Sequence, residues 1–233
     1  MPHHHAVTST SSPTEGRLIH WAARYDLLTR ILTFGRIARL RSLIADRADA
    51  QPGATILDVA CGTGDLALVL GRRVGPTGRV VGIDASREMI ARARHKAQRR
   101  GISVDFRVEP VEALSFSDGT FDHVVSSLAF HHFPGDLKRR AVESIARVLK
   151  PGGCLLIVDL DPEARHIPLH RTMPSPAPEH LLPALLRAAG FTDVTEEPLR
   201  FTSLGARLGL SLPLTSITAQ RPPIQIQREH QAR

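Results

Sequence analysis

Apolar residues recur at two different periods along this chain of 233 residues, and the change of period divides it. Leu18, Trp21, Ala22, Tyr25, Leu28 and Leu32 follow the three-to-four spacing of one buried helix face. After Gly35, residues Ile37, Leu40, Ile44 and Ala48 repeat that spacing until Gln51-Pro52-Gly53 ends the helix. Beyond it, short unbroken apolar runs alternate with helical segments. The pattern predicts strands at 55–60, 79–84, 103–108, 121–128 and 154–160, and helices at 65–74, 86–100 and 136–149. Strands that read as continuous apolar runs are covered by helices on both faces. Alternation at this spacing implies an α/β fold with a doubly wound, mostly parallel sheet. A Pro-rich stretch at 162–178 precedes a helix at 179–189, a strand at 191–200 and a last apolar run at 214–219, which brings the sheet to seven strands. The expected organisation is a disordered N-terminus over 1–15, lid helices over 16–50, one α/β domain over 51–220 and a polar, frayed tail over 221–233. There is no internal repeat.

Composition removes several classes of function. With 42% hydrophobic and 23% charged residues the chain can bury a full core without covalent staples. Two cysteines, Cys61 and Cys154, exclude a disulfide scaffold and a four-cysteine zinc site. His166 and His170 stand one helical turn apart, but nothing nearby completes a ligand set, so no metal is expected. No apolar run approaches the roughly 20 residues of a membrane span. The first residues lack the apolar core of a secretory signal, so a soluble, cytoplasmic protein is expected. The net charge is +7, and the segments 16–48 and 87–107 each carry +5. Such segments are either a solvated surface or a face for nucleic acid, an anionic membrane or an anionic substrate. The expected partner is a small-molecule acceptor rather than nucleic acid, with a peripheral membrane contact through the arginines of 17–47 as a second expectation. The sequence sets no oligomeric state.

Candidate chemistry begins where the first strand of the α/β region ends, at Asp58-Val-Ala-Cys-Gly62-Thr-Gly64. A Gly-x-Gly turn between a buried strand and a helix lets the backbone approach a nucleotide, because no Cβ intervenes. Asp84 closes the second strand 20 residues past Gly64, where a carboxylate can accept hydrogen bonds from a ribose diol; its plain alternative is a helix cap, which Ser86 fills better. Gly62-x-Gly64-x-x-Ala67 with Asp84 also satisfies the dinucleotide fingerprint, so NAD stays open. Asp58 discriminates between the two. A carboxylate there repels a pyrophosphate and attracts a cofactor that carries an ammonium and a sulfonium, as S-adenosylmethionine (SAM) does.

Leu57-Asp-Val-Ala-Cys-Gly-Thr-Gly-Asp65 followed by Gly82-Ile-Asp-Ala-Ser-Arg-Glu-Met89 resembles the first two motifs of class I SAM-dependent methyltransferases. Glu112-Ala-Leu-Ser-Phe-Ser-Asp-Gly-Thr-Phe-Asp122, Ser127-Leu-Ala-Phe-His-His-Phe133 and Arg147-Val-Leu-Lys-Pro-Gly-Gly153 continue the likeness in order. Ala23-Arg-Tyr-Asp-Leu-Leu28 and Leu32-Thr-Phe-Gly35 extend it to the ubiquinone/menaquinone C-methyltransferase group. The resemblance implies a SAM-binding domain over 51–220. In it Gly62 and Gly64 lie under the methionine part of the cofactor, Asp58 faces its amino group, Asp84 holds the ribose, and Ala85 and Met89 flank the adenine. Tyr25, Ala60, Val111 and Ser127 complete the implied cofactor site. One position departs from the family, where an acid usually precedes Ala-Glu to bind the adenine amino group. Here Pro110 occupies it and offers neither carboxylate nor N–H. Glu109, a water, or apolar contacts with the Val111 backbone must take over, and SAM affinity is expected to fall by about 1–2 kcal/mol.

Methyl transfer from a sulfonium to a phenolic ring needs alignment and a base. His131 and His132 lie just beyond the fourth strand, at the carboxyl edge where such folds place substrates, and an imidazole titrates in the right range. Either one is the base, His132 being the one expected beside substrate or cofactor, or the pair is a loop bonded to backbone. Trp21 and Tyr25, one turn apart, are either core packing or a lid. Read as a lid, they cover a substrate site that includes His20 and has Phe130 and Phe133 as its opposite wall. The expected reaction is C-methylation of a phenolic or quinone precursor. The alternatives are an O- or N-methyltransferase of natural-product biosynthesis, a tRNA methyltransferase using the basic segments, and an NAD-binding protein. The stretch 162–178 is short for the family and implies an open pocket.

Overall fold

A computed structural model describes residues 37–161, 182–199 and 213–223. The first helix, α1 (Ile37–Arg47), buries Leu40, Ile44 and Ala45, the face its spacing sets up. The part of the expected lid that lies in 37–47 is helical and packs on the sheet. His20, Trp21 and Tyr25, and the rest of 16–36, lie outside the described residues.

The remaining elements are β1 (Thr55–Val59), α2 (Asp65–Val74), β2 (Arg79–Asp84), α3 (Arg87–Arg100), β3 (Asp105–Val108), β4 (Phe121–Ser127), α4 (Gly135–Val148), β5 (Leu149–Leu160), α5 (Leu182–Ala188), β6 (Thr192–Leu199) and β7 (Leu214–Gln220). Two single turns of 3-10 helix, Val111–Ala113 and Phe130–His132, follow β3 and β4. The seven strands order as β3-β2-β1-β4-β5-β7-β6. The first five run parallel, while β7 pairs antiparallel with both β5 and β6. From β1 the chain winds outward through β2 and β3, then returns to β4 on the other side. The crevice beyond the carboxyl ends of β1 and β4 is therefore a topological switch point, where open α/β sheets hold ligands.

Both faces of the central strands are covered, which is why β1 and β2 read as unbroken apolar runs, while the edge strand β6 is mostly exposed. Leu57, Val59, Val81 and Val124 face a core built with Leu137, Val142 and Ile145 of α4. Ile56, Val80 and Val125 face the opposite core with Leu40, Leu68 and Ile90 of α1, α2 and α3. Helix α3 begins at a Ser86 cap whose Oγ accepts from Met89 N at 3.3 Å, and ends at Gly101 in the left-handed region.

Two boundaries differ from the sequence reading. Strand β5 starts at Leu149, which pairs with Phe121, and the register then shifts before His123 meets Cys154. Lys150-Pro-Gly-Gly153 reads as a turn, and the irregularity absorbs it within the strand. The tail begins later than residue 221. Arg221 N donates to Gly153 O at 2.9 Å, and Gly152 N donates to Arg221 O at 2.8 Å.

Candidate functional site

The loop from β1 to α2 is a run of left-handed residues, Ala60 (φ 53°), Gly62 (φ 53°) and Gly64 (φ 78°). A non-glycine in that region is strained, and such strain persists where surrounding structure over-determines the turn. The bonds that do so are Cys61 N to Ile83 O and Gly64 N to Cys61 O, both 2.9 Å. Asp84 adds the third restraint. Its Oδ2 accepts from Gly62 N at 2.9 Å and its Oδ1 from Ser86 N at 2.8 Å, so one carboxylate joins the glycine loop to the start of α3. Burial raises its pKa, and the two N–H donors oppose that. Gly64 has a packing role as well. A Cβ there would lie 2.5 Å from Phe106 Cζ and 2.7 Å from Ala93 Cβ, so the loop rests directly on β3 and α3.

Asp65, the first residue of α2, ties neighbouring helices to the same loop. It meets Lys96 Nζ at 2.8 Å, Arg41 at 3.2 Å and Arg100 at 3.3 Å, and Lys96 also donates to Thr63 Oγ1 at 2.8 Å. These cations come from the two basic segments. Arg47 likewise turns inward to Ser216 Oγ at 2.8 Å, and Arg94 to the Phe106 carbonyl at 2.6 Å. Part of the positive charge therefore serves internal contacts. A narrow cavity of about 40 Å³ between α1 and the loop brings Ala60 and Ser127 together beside Arg41 and Thr63.

Asp58 is the unusual residue of the site. It is 1% exposed, and among the described residues neither carboxylate oxygen makes a well-formed hydrogen bond. Burial pushes its pKa up to about 8; Asp84 adds to the rise, while the Ala67 backbone and Arg41 oppose it. Proteins seldom leave a buried carboxyl unpaired, and a carboxyl so perturbed beside a switch point is a candidate ligand residue. Burial, with Asp58 and Asp84 nearby, also pushes the Cys61 thiol well up, so it is no nucleophile.

Along the other wall, Glu109 is closed inside its own loop. Its Oε1 accepts from Ser115 N at 2.5 Å, and its carboxylate thereby braces the 109–115 turn. Pro110 caps the Val111–Ala113 turn with its carbonyl accepting from Ala113 N at 3.2 Å. Val111 and Met89 are buried, and Ala85 is half-buried at the end of β2.

At the end of β4, Phe130 is 1% exposed and belongs to the core with Leu57, Val124 and Leu137. Its side chain thus packs with the core beside the expected substrate wall. Phe133 is half-buried, its ring 5.0 Å from that of Phe130. His131 and His132 follow, with ring centroids 3.8 Å apart. His131 Nδ1 lies 2.5 Å from Asp159 Oδ1, and its backbone N donates to Asp159 Oδ2 at 3.1 Å. Asp159 stands near the end of β5 and escaped the sequence reading. The available signal was one acid breaking an apolar strand, Val158-Asp159-Leu160, in the strand beside β4.

A sheet of this order, with a glycine loop and acids at the carboxyl ends of β1 and β2, defines a nucleotide-cofactor class of protein. Residues 56–153 match the family model described as a methyltransferase domain. The chain is similar to demethylmenaquinone methyltransferase of Thermus thermophilus, 43% identical over 141 residues that cover 60% of this chain and 63% of that one. It spans between about half and two thirds of the curated relatives it matches. Among solved structures it is similar to the [4+2]-cyclase SpnF, with TM-score 0.65 and 25% identity over 79% of this chain and 80% of that one. A SAM-dependent methyltransferase from Aquifex aeolicus shares the fold with TM-score 0.61 and 23% identity, over 86% and 98% of the two chains.

Proposed function

We propose that this protein transfers a methyl group from SAM to a ring carbon of a quinol or related phenol. The observation that carries the reading is Asp58, a buried carboxyl with no well-formed hydrogen bond among the described residues, at the head of a glycine loop. An ammonium fits that donor-poor acid, and a pyrophosphate is repelled by it. The Thermus relative is named for a demethylmenaquinone, which supports the quinol as acceptor.

SAM, when bound, supplies a methyl group on a sulfonium. This chain's own residues bind and orient. Asp58 would take the cofactor's amino group. Asp84 already uses one lone pair on each oxygen for the loop and retains others for ribose hydroxyls. Ala60, Gly62, Ala85, Met89, Val111 and Ser127 would line the remainder, with Gly64 supporting the loop from beneath. Tyr25, and the acceptor-side residues His20 and Trp21, are proposed with them although they lie outside the described residues. Phe133 would border the acceptor, beside the histidine pair. The test is incubation with SAM and a prenylated 1,4-naphthohydroquinone. The expected product carries one added methyl on the ring carbon; a product methylated on oxygen, or no transfer from bound SAM, contradicts the acceptor assignment.

Pro110 gives a second expectation. With Glu109 committed to Ser115, no described carboxylate has replaced the missing acid. Pro110→Asp keeps an extended residue at the start of the turn (φ −79°, ψ 143°), a conformation Asp favours as a cap. Calorimetry should show SAM Kd lowered by roughly 5–30-fold, the equivalent of about 1–2 kcal/mol for one hydrogen bond. Unchanged affinity would mean that the adenine lies elsewhere.

A further inference from the structure

We propose that Asp159 selects His131 as the base of the reaction, holding the imidazole proton on Nδ1 so that Nε2 takes a hydroxyl proton from the acceptor. The inference rests on the methyl-transfer reading and adds a positioning residue and a requirement on the acceptor.

The geometry distinguishes the two histidines. Asp159 receives three donors on two oxygens: His131 Nδ1 at 2.5 Å, His131 N at 3.1 Å and Leu160 N at 2.8 Å. Two of these are backbone amides, so the carboxylate accepts, and the shared proton belongs to the imidazole at Nδ1. A neutral ring with its proton at Nδ1 has Nε2 as its basic atom. The two bonds from His131 to one carboxylate fix both its backbone and its ring, and the side chains are only 13% and 10% exposed. The dyad stands at the carboxyl ends of β4 and β5. Strand β1, which carries Asp58, is the direct neighbour of β4, with Val59 opposite Ser126. The dyad and the glycine loop therefore stand at the same carboxyl edge of the sheet.

A base held this way demands an acceptor with a proton to lose, which a hydroxylated ring has and a tertiary amine lacks. Methylation at carbon then balances as follows. The hydroxyl proton passes to Nε2, and the ring carbon forms its bond to the methyl group as the sulfur–carbon bond breaks, leaving a neutral thioether. The ring carbon next loses its hydrogen and the ring oxygen regains one. One proton per methyl group remains on His131 and leaves to solvent.

Asp159→Asn is the informative variant, because its amide donates toward Nδ1 and stabilises the opposite tautomer. In nitrogen-15 spectra at a pH where the ring is neutral, with His131 assigned by comparison with His131→Gln, the wild type should show hydrogen on Nδ1 and the variant hydrogen on Nε2. Turnover of a prenylated 1,4-naphthohydroquinone should fall by about 10²–10⁴-fold in kcat, while SAM Kd changes by no more than a few-fold. Asp159→Glu retains the carboxylate and should keep the wild-type tautomer and recover most of the turnover. Hydrogen on Nε2 in the wild type overturns the proposal, as does a variant with the swapped tautomer and wild-type kcat. Failure of SAM to bind either protein would instead defeat the methyl-transfer reading, and the calorimetric Kd separates the two outcomes.

Discussion

Asp58→Asn is expected to make the cofactor-free protein more stable at neutral and alkaline pH while raising SAM Kd at least 100-fold. In the folded chain this carboxyl has a pKa of about 8, against 3.8 for the ordinary group, because burial disfavours its charge. Between about pH 4 and pH 8 the unfolded chain has released the proton and the folded chain still holds it. Raising the pH through that window therefore favours unfolding, and the penalty levels off once the folded carboxyl also ionises. At about 1.4 kcal/mol per pH unit the full penalty is on the order of 5 kcal/mol. Asn has no charge to bury. The thermal midpoints of variant and wild type should coincide near pH 4, diverge in the variant's favour as pH rises, and run parallel above pH 8–9. Other titrating groups are common to both proteins, so the difference isolates Asp58. The affinity loss has the opposite sign, because a buried ammonium left without its carboxylate costs about 3–5 kcal/mol. A variant that is less stable than wild type at pH 8 would mean that Asp58 has a structural partner and is not reserved for a ligand.

Gly64→Ala should be among the most destabilising single changes in the chain. The residue sits at φ 78°, where a side chain costs about 1–2 kcal/mol, and its new Cβ would stand 2.5 Å from Phe106 Cζ. Overpacking of that kind typically adds about 1–3 kcal/mol. Together these predict a loss of roughly 2–5 kcal/mol, or a thermal midpoint lower by about 5–15 °C in a domain of this size. Gly101→Ala is the control, since Gly101 is also in the left-handed region (φ 61°, ψ 33°) and no atom lies within 4 Å of a Cβ built on it. Its cost is the backbone part alone. Equal midpoints for the two variants would show that Phe106 and Ala93 yield and that the loop is not wedged against them. If they do not yield, the loop itself shifts, and the bond from Gly62 N to Asp84 weakens with it.

Periodicity made the sheet legible. Strands buried on both faces announce themselves as runs such as Thr55–Val59 and Arg79–Asp84, and helix α3 has Ser86 and Gly101 at its two ends. The glycine loop and Asp58 were legible for the same kind of reason: they depart from what a buried strand and helix need. Other features depend on tertiary contacts that no local pattern encodes. Asp159 is one acid in an apolar strand until the turn after β4 folds over it. Phe130 belongs to the core because the 3-10 turn directs it inward, although its neighbours stand at the edge. Glu109 stands next to the missing adenine acid in sequence, yet its carboxylate is used six residues away at Ser115. Asp84 stands out by position as a candidate ribose ligand, whereas its bonds to Gly62 and Ser86 do not show in the sequence, because two elements must meet before they form.

The central claim, that Asp58 is the seat of a cationic cofactor group, is tested most directly by titrating the protein with SAM in a calorimeter at about pH 6.5. The titration is run in two buffers of different ionisation enthalpy, with NAD in a parallel series. A carboxyl whose pKa is about 8 in the free protein is protonated at that pH, whereas one paired with an ammonium is ionised. The account predicts that SAM binds, that close to one proton is released to buffer per SAM bound, and that NAD gives no heat of binding. Binding of NAD in place of SAM, or SAM binding with no proton released, would contradict it.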